Sequence, residues 1–219
     1  MGLKQFARKI SWLINRFPFM NSFKVKGTKV AFSNTILVGC KLRTKGKRNQ
    51  ILFRGNGGFK NSAIVISGND NVVEFAEGVS MDGGSILLEG DHNRLIVGKE
   101  TKFCGKIHIA IIESTTVKIG ENGLFSSDIT IRTGDSHSVL DLSGKRINPS
   151  QNVMIGDHVW VGNHVIITKG VTIANDCIVG TGTVVTKGCE EEHVVLAGAP
   201  DRIVKRDVSW CGERINVDM

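Results

Sequence analysis

The sequence has no tyrosine, three prolines in 219 residues, and no two cysteines in a Cys-x-x-Cys spacing. Its five cysteines (Cys40, Cys104, Cys177, Cys189 and Cys211) are odd in number. That is a poor disulfide framework and a poor zinc site, so they read as reduced, mostly small core residues of a cytoplasmic chain, and no metal is expected. No apolar run approaches the roughly 18 residues that cross a bilayer. The first residues lack the apolar core of about 7–15 residues that marks a secretory signal. The most telling lack is of negative charge: residues 1–60 hold fourteen Lys and Arg and not one Asp or Glu, whereas the remaining residues are net acidic. Charge sorted along a chain in this way suits an anionic partner, although a solvated basic face has the same composition.

What is present is mostly regular. Phe6, Ile10, Leu13, Ile14 and Phe17 recur at steps of three and four among Lys4, Arg8, Lys9 and Arg16, and Pro18 ends the run. This predicts one short amphipathic basic helix within residues 1–22, able to lie on an anionic membrane surface or to dock on its own domain or an oligomer partner. From Ile155 the period becomes six: Ile155, Val161, Ile167, Ile173, Val179, Val185, with Val159, Val165, Val171, Cys177 and Thr183 four residues after each of the first five. Neither a helix nor an alternating strand has that period, but a triangular prism of short parallel strands does, with three hexads to a coil.

Upstream the coil lengthens to 22 residues. Phe53, Phe75, Val97 and Ile119 form one inward series; Phe59, Met81, Phe103 and Phe125 a second; Val65, Leu87, Ile109 and Ile131 a third. The four added residues fall near Gly68-Asn69-Asp70-Asn71, Gly90-Asp91-His92-Asn93 and Glu113-Ser114-Thr115-Thr116, most of them turn formers. Before Phe53 the register fades, as in a degenerate coil or cap. The fold expected is an all-β solenoid over residues 23–206, followed by a tail over 207–219. The period breaks once, between Ile131 and Ile155, which predicts an extruded loop over 133–152.

That loop holds Asp135 and His137, and an imidazole oriented by a neighbour can remove a hydroxyl proton near neutral pH. A lone loop histidine is more often incidental. His158 and His164 lie one hexad apart, on adjacent faces of the prism, and so do not hold a metal together within one chain. Trp160 occupies an outward slot, where a subunit interface or a ligand groove would cover it. Gly180-Thr181-Gly182 exposes backbone, and Thr186, Lys187, Arg202 and Lys205 offer hydroxyl and cationic groups suited to phosphates.

Three stretches carry a resemblance: Ile155-Gly156-Asp157-His158-Val159-Trp160-Val161-Gly162, Thr183-Val184-Val185-Thr186-Lys187, and Ala197-Gly198-Ala199-Pro200-Asp201-Arg202-Ile203-Val204-Lys205. They look like the bacterial hexapeptide-repeat acyltransferases. With Thr133-Gly134-Asp135-Ser136-His137 and Gly144-Lys145-Arg146-Ile147-Asn148-Pro149, the chain is most similar to the branch that O-acetylates surface polysaccharides, polysialic acid included. The resemblance implies a left-handed parallel β-helix, a homotrimer, and acetyl-CoA in the groove between neighbouring prisms. His137 matches the catalytic histidine and Trp160 the tryptophan at the thioester end. Gly162 belongs to the family's Trp-x-Gly, and Asn163 matches the CoA-contacting position after it. Thr181, beside Gly180, matches the small residue at the pantetheine arm. Thr186 and Lys187 match the Thr-Lys pair, and Arg202 and Lys205 the basic residues near the nucleotide phosphates. Many relatives have proline after the histidine, where this chain has Ser138.

The expected chemistry is direct acetyl transfer to a saccharide hydroxyl. His137 acts as base, Asp135 or a backbone carbonyl orients it, a backbone N–H near Trp160 to Gly162 meets the oxyanion, and Lys145 and Arg146 face the acceptor. The alternatives are an amino-sugar N-acetyltransferase, a serine acetyltransferase, or a non-catalytic polyanion-binding solenoid. Nucleic acid is disfavoured because the basic block lacks interleaved stacking aromatics. The compartment expected is the cytoplasm, with the inner face of the membrane as a place of contact.

Overall fold

The structure is a computed structural model that describes residues 20–216 together with Leu13 and Asn15. The helix expected near the N-terminus lies outside the described residues, save those two positions.

The described chain is a left-handed parallel β-helix with three faces. The first face stacks Thr28–Phe32, Asn49–Phe53, Val72–Phe75, Arg94–Val97, Thr116–Ile119, Val153–Ile155, Thr172–Ile173 and Gly188–Cys189. The second and third belong to one sheet, because Gly58–Ser67 and Ser80–Glu89 run continuously around the edge between them. The upper second face consists of Lys102–Phe103, Leu124–Phe125, Trp160–Val161, Ile178–Val179 and Val195–Ala197. The upper third face consists of Ile107–Ile112, Ile129–Arg132, Ile166–Ile167 and Val184–Val185. Arg202–Lys205 turns back antiparallel on Val195–Ala197 and closes that end.

Inward side chains of successive coils meet along the axis. Phe23, Phe32, Phe53 and Phe75 form a stacked column with centroid steps of 5.7, 5.6 and 5.3 Å, a geometry that adds to plain area burial. Further up the axis is aliphatic, and Val159, Val165, Val171, Cys177 and Thr183 are all fully buried, as the hexads require.

At the edge between the third and first faces, buried Asn49, Asn71 and Asn93 form a ladder. Asn71 Nδ2 donates to Asn49 Oδ1 (3.1 Å) and to Gly90 O (2.9 Å), and Asn93 N donates to Asn71 Oδ1 (2.9 Å). Above them Thr115 Oγ1 donates to Thr133 Oγ1 (2.7 Å). These bonds satisfy polar groups that the tight edge would otherwise orphan. Asp70, His92, Glu113 and Ser114 take positive φ there (57°, 59°, 58° and 58°), as the turn-forming inserts predict.

Four expectations are corrected. The coils do not fade before Phe53, since Ser22–Lys24 pairs with Lys41–Lys45 and Thr28–Phe32 with Asn49–Phe53. Val65 and Leu87 are half-buried and face outward, while Ile64, Ile66, Ile86 and Leu88 fill the axis. The cause is a slip: Met81 pairs with Phe103, but Ile86 pairs with Ile109, so the bend at Cys104-Gly105-Lys106 holds one extra residue. Only Cys40 and Cys177 are core cysteines; Cys104 and Cys211 are exposed and Cys189 is intermediate. His158 (φ 52°) and His164 (φ 57°) sit at edges of the prism rather than on its faces.

Candidate active site

The loop leaves the prism after Ile129–Arg132, returns at Val153–Ile155, and closes at its neck where Gln151 N donates to Thr133 O (2.8 Å). Its tip is a small hairpin. Asp141 Oδ1 accepts N–H bonds from Ser143 and Lys145 (2.9 Å each), and Ile147 N donates to Val139 O (2.9 Å).

Asn148, 8% exposed, is the hub. Its Nδ2 donates to Asp135 Oδ2 and to His137 O (2.8 Å each), and its Oδ1 accepts from Val139 N (2.7 Å) and Arg146 Nε (3.2 Å). It thus grips the backbone at His137 and two residues beyond. Asp135 forms an ion pair with Lys169, which also donates to Asn148 O (3.3 Å). The Lys169 ammonium first, and the Asn148 amide second, hold the Asp135 carboxyl below its usual range. Arg146 pairs with Glu113 (2.7 Å), whose carboxylate also accepts from Ser150 N (3.1 Å). Arg132 Nη2 donates to Ser136 Oγ (2.6 Å).

His137 itself is exposed, and among the described residues nothing hydrogen-bonds its ring. Asp135 therefore braces the loop rather than the imidazole. Arg146 likewise spends its guanidinium on Glu113 and Asn148, and Lys145 is exposed beside it.

A different edge, between the second and third faces, carries Gly162, Asn163, Gly180 and Thr181, with Trp160 just before it and 38% exposed. Asn163 Oδ1 accepts from Ser127 N (3.1 Å), and Gly182 N donates to Asn163 O (2.8 Å). Gly162 is required by coil stacking, since a Cβ there would lie 2.8 Å from Thr181 N. The N–H groups of Trp160 and Gly162 donate to Cys177 O and Val179 O in the next coil (2.9 and 2.8 Å), so they are not open oxyanion donors as expected. The Asn163 N–H has no such bond among the described residues.

Within residues 207–216, Val208 and Trp210 tie the chain to the prism, Val208 N donating to His193 O (3.0 Å). Trp210 stacks on His158 at 4.3 Å and 11°, donates to His158 O (2.8 Å), and stands 6.1 Å from Trp160. His158 Nδ1 contacts Asp176 Oδ1 at 2.8 Å.

Thr186 and Lys187 lie back at the edge of the loop. Buried Asp201 accepts their N–H groups (2.7 and 3.1 Å) and that of Gly188 (3.0 Å). Burial opposes ionisation of Asp201, but these three N–H bonds and the Thr186 hydroxyl outweigh it and keep the carboxyl below its usual range. Arg202 and Lys205 are both exposed on the closing strand. One chain therefore brings the expected residues to two edges and one end, not to a single point. Asn148, Lys169, Glu113 and Arg132 escaped the sequence reading, because what identifies them is contact with the loop rather than spacing.

Residues 152–187 match the family described as bacterial transferase hexapeptide (six repeats). The chain is 36% identical over 105 residues to galactoside O-acetyltransferase of Escherichia coli strain K12, covering 47% of this chain and 50% of that protein. It therefore spans half the length of that relative. It is 35% identical over 166 residues to polysialic acid O-acetyltransferase of Neisseria meningitidis, covering 75% and 76%. The solved polysialic acid O-acetyltransferase OatWY superposes with a TM-score of 0.81 at 30% identity, covering 91% of this chain and 95% of that one.

Proposed function

Because this chain belongs to the hexapeptide-repeat, left-handed β-helix O-acetyltransferases, we propose that it moves an acetyl group from acetyl-CoA to a hydroxyl of a cell-surface saccharide. The observation that carries this reading is the three-quarter-length likeness to polysialic acid O-acetyltransferase, joined to a braced loop that presents His137.

His137 takes the proton from the acceptor hydroxyl as that oxygen attacks the thioester carbonyl. The C–S bond then breaks, and the departing CoA sulfur recovers the proton from the imidazolium. Asp135 acts at one remove, by holding the loop through Lys169 and Asn148. The Asn163 N–H is the backbone donor open to the oxyanion, a role worth about 2.7–4 kcal/mol where enzymes use one.

The site is completed by a second copy. His137 stands at one edge of the third face and Trp160, Gly162, Asn163 and Thr181 at the other, so a cyclic assembly that joins unlike edges closes the site between subunits. Two observations support this. The loop leaves Val139, Leu140, Leu142 and Ile147 exposed, a patch suited to a neighbour. The third face, which such a ring turns toward its axis, presents Val65, Leu87, Ile112, Ile166 and Val184 outward. We take the assembly to be a homotrimer, with Thr186, Lys187, Arg202 and Lys205 toward the phosphates of acetyl-CoA.

An anionic acceptor is favoured by the first coils. Lys26, Lys29, Lys47 and Lys60 are exposed off the third face, and no acidic residue precedes Asp70 in the chain. The same charge suits contact of the N-terminal segment with an anionic membrane face on the cytoplasmic side. Thiol release from acetyl-CoA against sialylated and neutral oligosaccharides tests the reading. Release should depend on a saccharide and vanish in His137→Ala. Normal turnover by that variant, or release with free serine alone, would overturn it.

A further inference from the structure

Below Asn163, on the same edge of the prism, lies an open cleft of about 640 Å³ that the acetyl-transfer residues do not use. Its volume is that of an ordinary small-molecule site. Its polar lining comes from four successive coils: Asn61 in the lowest, then Asp82 and Ser85, then Lys106 and His108, then Asp128. Ser85 Oγ and His108 Nδ1 form a 2.9 Å hydrogen bond on its wall. Burial first, and the Arg132 charge second, push His108 below its ordinary pKa, so the ring is neutral near pH 7 and its second nitrogen is left to meet a ligand, as donor when Ser85 donates to Nδ1.

The backbone opens here for a reason that the repeat alone does not supply. At Gly83 an added Cβ would meet nothing closer than 4.0 Å, and Gly84, at φ +130°, leaves no room for one, since it would lie 2.4 Å from Ile107 O. The extra residue at Cys104-Gly105-Lys106 slips the register by one at this same bend. Such irregularities re-aim side chains beside functional sites. The top of the cleft approaches the Asn163 edge. Asp128 at its top lies 4.0 Å from His164, next to Asn163.

We propose that this cleft is a saccharide subsite that holds the units next to the one being acetylated. The charged lining is mixed, Asp82 and Asp128 against Lys106: the carboxylates accept hydroxyls, Lys106 meets the charge of an anionic unit, and the Ser85–His108 pair bonds ring and substituent oxygens. Four coils at a strand spacing of about 4.8 Å make it roughly 14 Å long, which exceeds one sugar ring. The acceptor is then read as a polymer, with the reacting unit between the Asn163 edge and His137 of a second copy, and its neighbours in the cleft. This inference rests on the O-acetyltransferase reading and deepens it.

The test is steady-state kinetics of the full chain with sialic acid and its dimer, tetramer and hexamer, beside a matched galactose series. In whichever series turns over, kcat/KM of the wild type should rise at least about tenfold from monomer to tetramer. Asp82→Asn, Ser85→Ala and Asp128→Asn should each raise KM for the tetramer several-fold and remove most of that gain, without altering KM for acetyl-CoA. Asp82 and Asp128 are exposed, so their variants should keep the wild-type melting temperature, which serves as the control. A wild-type rate independent of acceptor length, or variants that keep the full gain, would overturn the subsite alone. No thiol release with any member of either series would overturn the O-acetyltransferase reading, and the subsite with it.

Discussion

Asn148→Ala should disable the enzyme without unfolding it. The Asn148 side chain makes four hydrogen bonds within the loop, two of them to the backbone of His137 and Val139. Each is worth about 0.5–1.5 kcal/mol net, and exposed partners recover water, so the loss is about 2–4 kcal/mol of loop order. At about 1.4 kcal/mol per factor of ten, kcat should fall by about 30-fold or more. The neck bond from Gln151 to Thr133 and the coils on either side do not involve this side chain. The melting temperature should therefore hardly move, and KM for acetyl-CoA should stay near the wild-type value. Asn148→Asp should be no better than alanine, because it sets a second carboxylate against Asp135 and loses the donor to His137 O. Initial rates of thiol release with a melting curve decide the matter. A variant within about threefold of wild-type kcat would refute the idea that this residue holds the catalytic loop.

Three further expectations follow from other parts of the molecule. The Asp135 carboxyl is held below its usual range, so its pairing with Lys169 steadies the loop above the ordinary carboxylate pKa of about 4 and is lost as pH falls through the lower folded value. The ratio of loop-amide exchange between Asp135→Asn and wild type should stay level from about pH 8 to 5 and approach one only in stronger acid; a ratio that drifts across neutral pH would contradict this. Phe75, buried between Phe53 at 5.3 Å and Phe59 at 4.7 Å, should cost about 3–5 kcal/mol when cut to alanine, seen as a lower urea midpoint. Asp201→Asn removes the charge that gathers three backbone N–H groups, so thermal stability should fall and KM for acetyl-CoA should rise through Lys187 while kcat is kept.

Most of the fold was legible because a solenoid repeats its own pattern. The hexad positions from Ile155 to Val185 are inward, as their spacing requires, and the break after Ile131 is where the loop emerges. The third series failed at Val65 and Leu87 because apolar residues also line the outward third face, which hides the one-residue slip between coils. Periodicity alone does not distinguish the two sides of such a strand once both are apolar. The Asn49–Asn71–Asn93 ladder was visible only as turn composition, since asparagine pays for burial only when coils bring its partners into line. The candidate site divided in the same way. His137 stood out as a titratable residue in the one irregular segment, but its braces, Asn148, Lys169 and Glu113, are ordinary polar residues until the loop is folded. Trp210 gave no signal at all, because the segment after Arg206 has no repeat to place it on His158.

Catalysis between subunits requires that His137 of one copy act on a thioester held at the Trp160–Asn163 edge of another. Mixing His137→Ala with Trp160→Ala chains, each inactive alone, after unfolding and joint refolding tests it directly. If the site spans two subunits of a cyclic assembly, random mixing at equal amounts should restore about a quarter of the wild-type sites, each made of one intact edge from either chain. A mixture as inactive as its two components would place the whole site within a single chain and contradict the account.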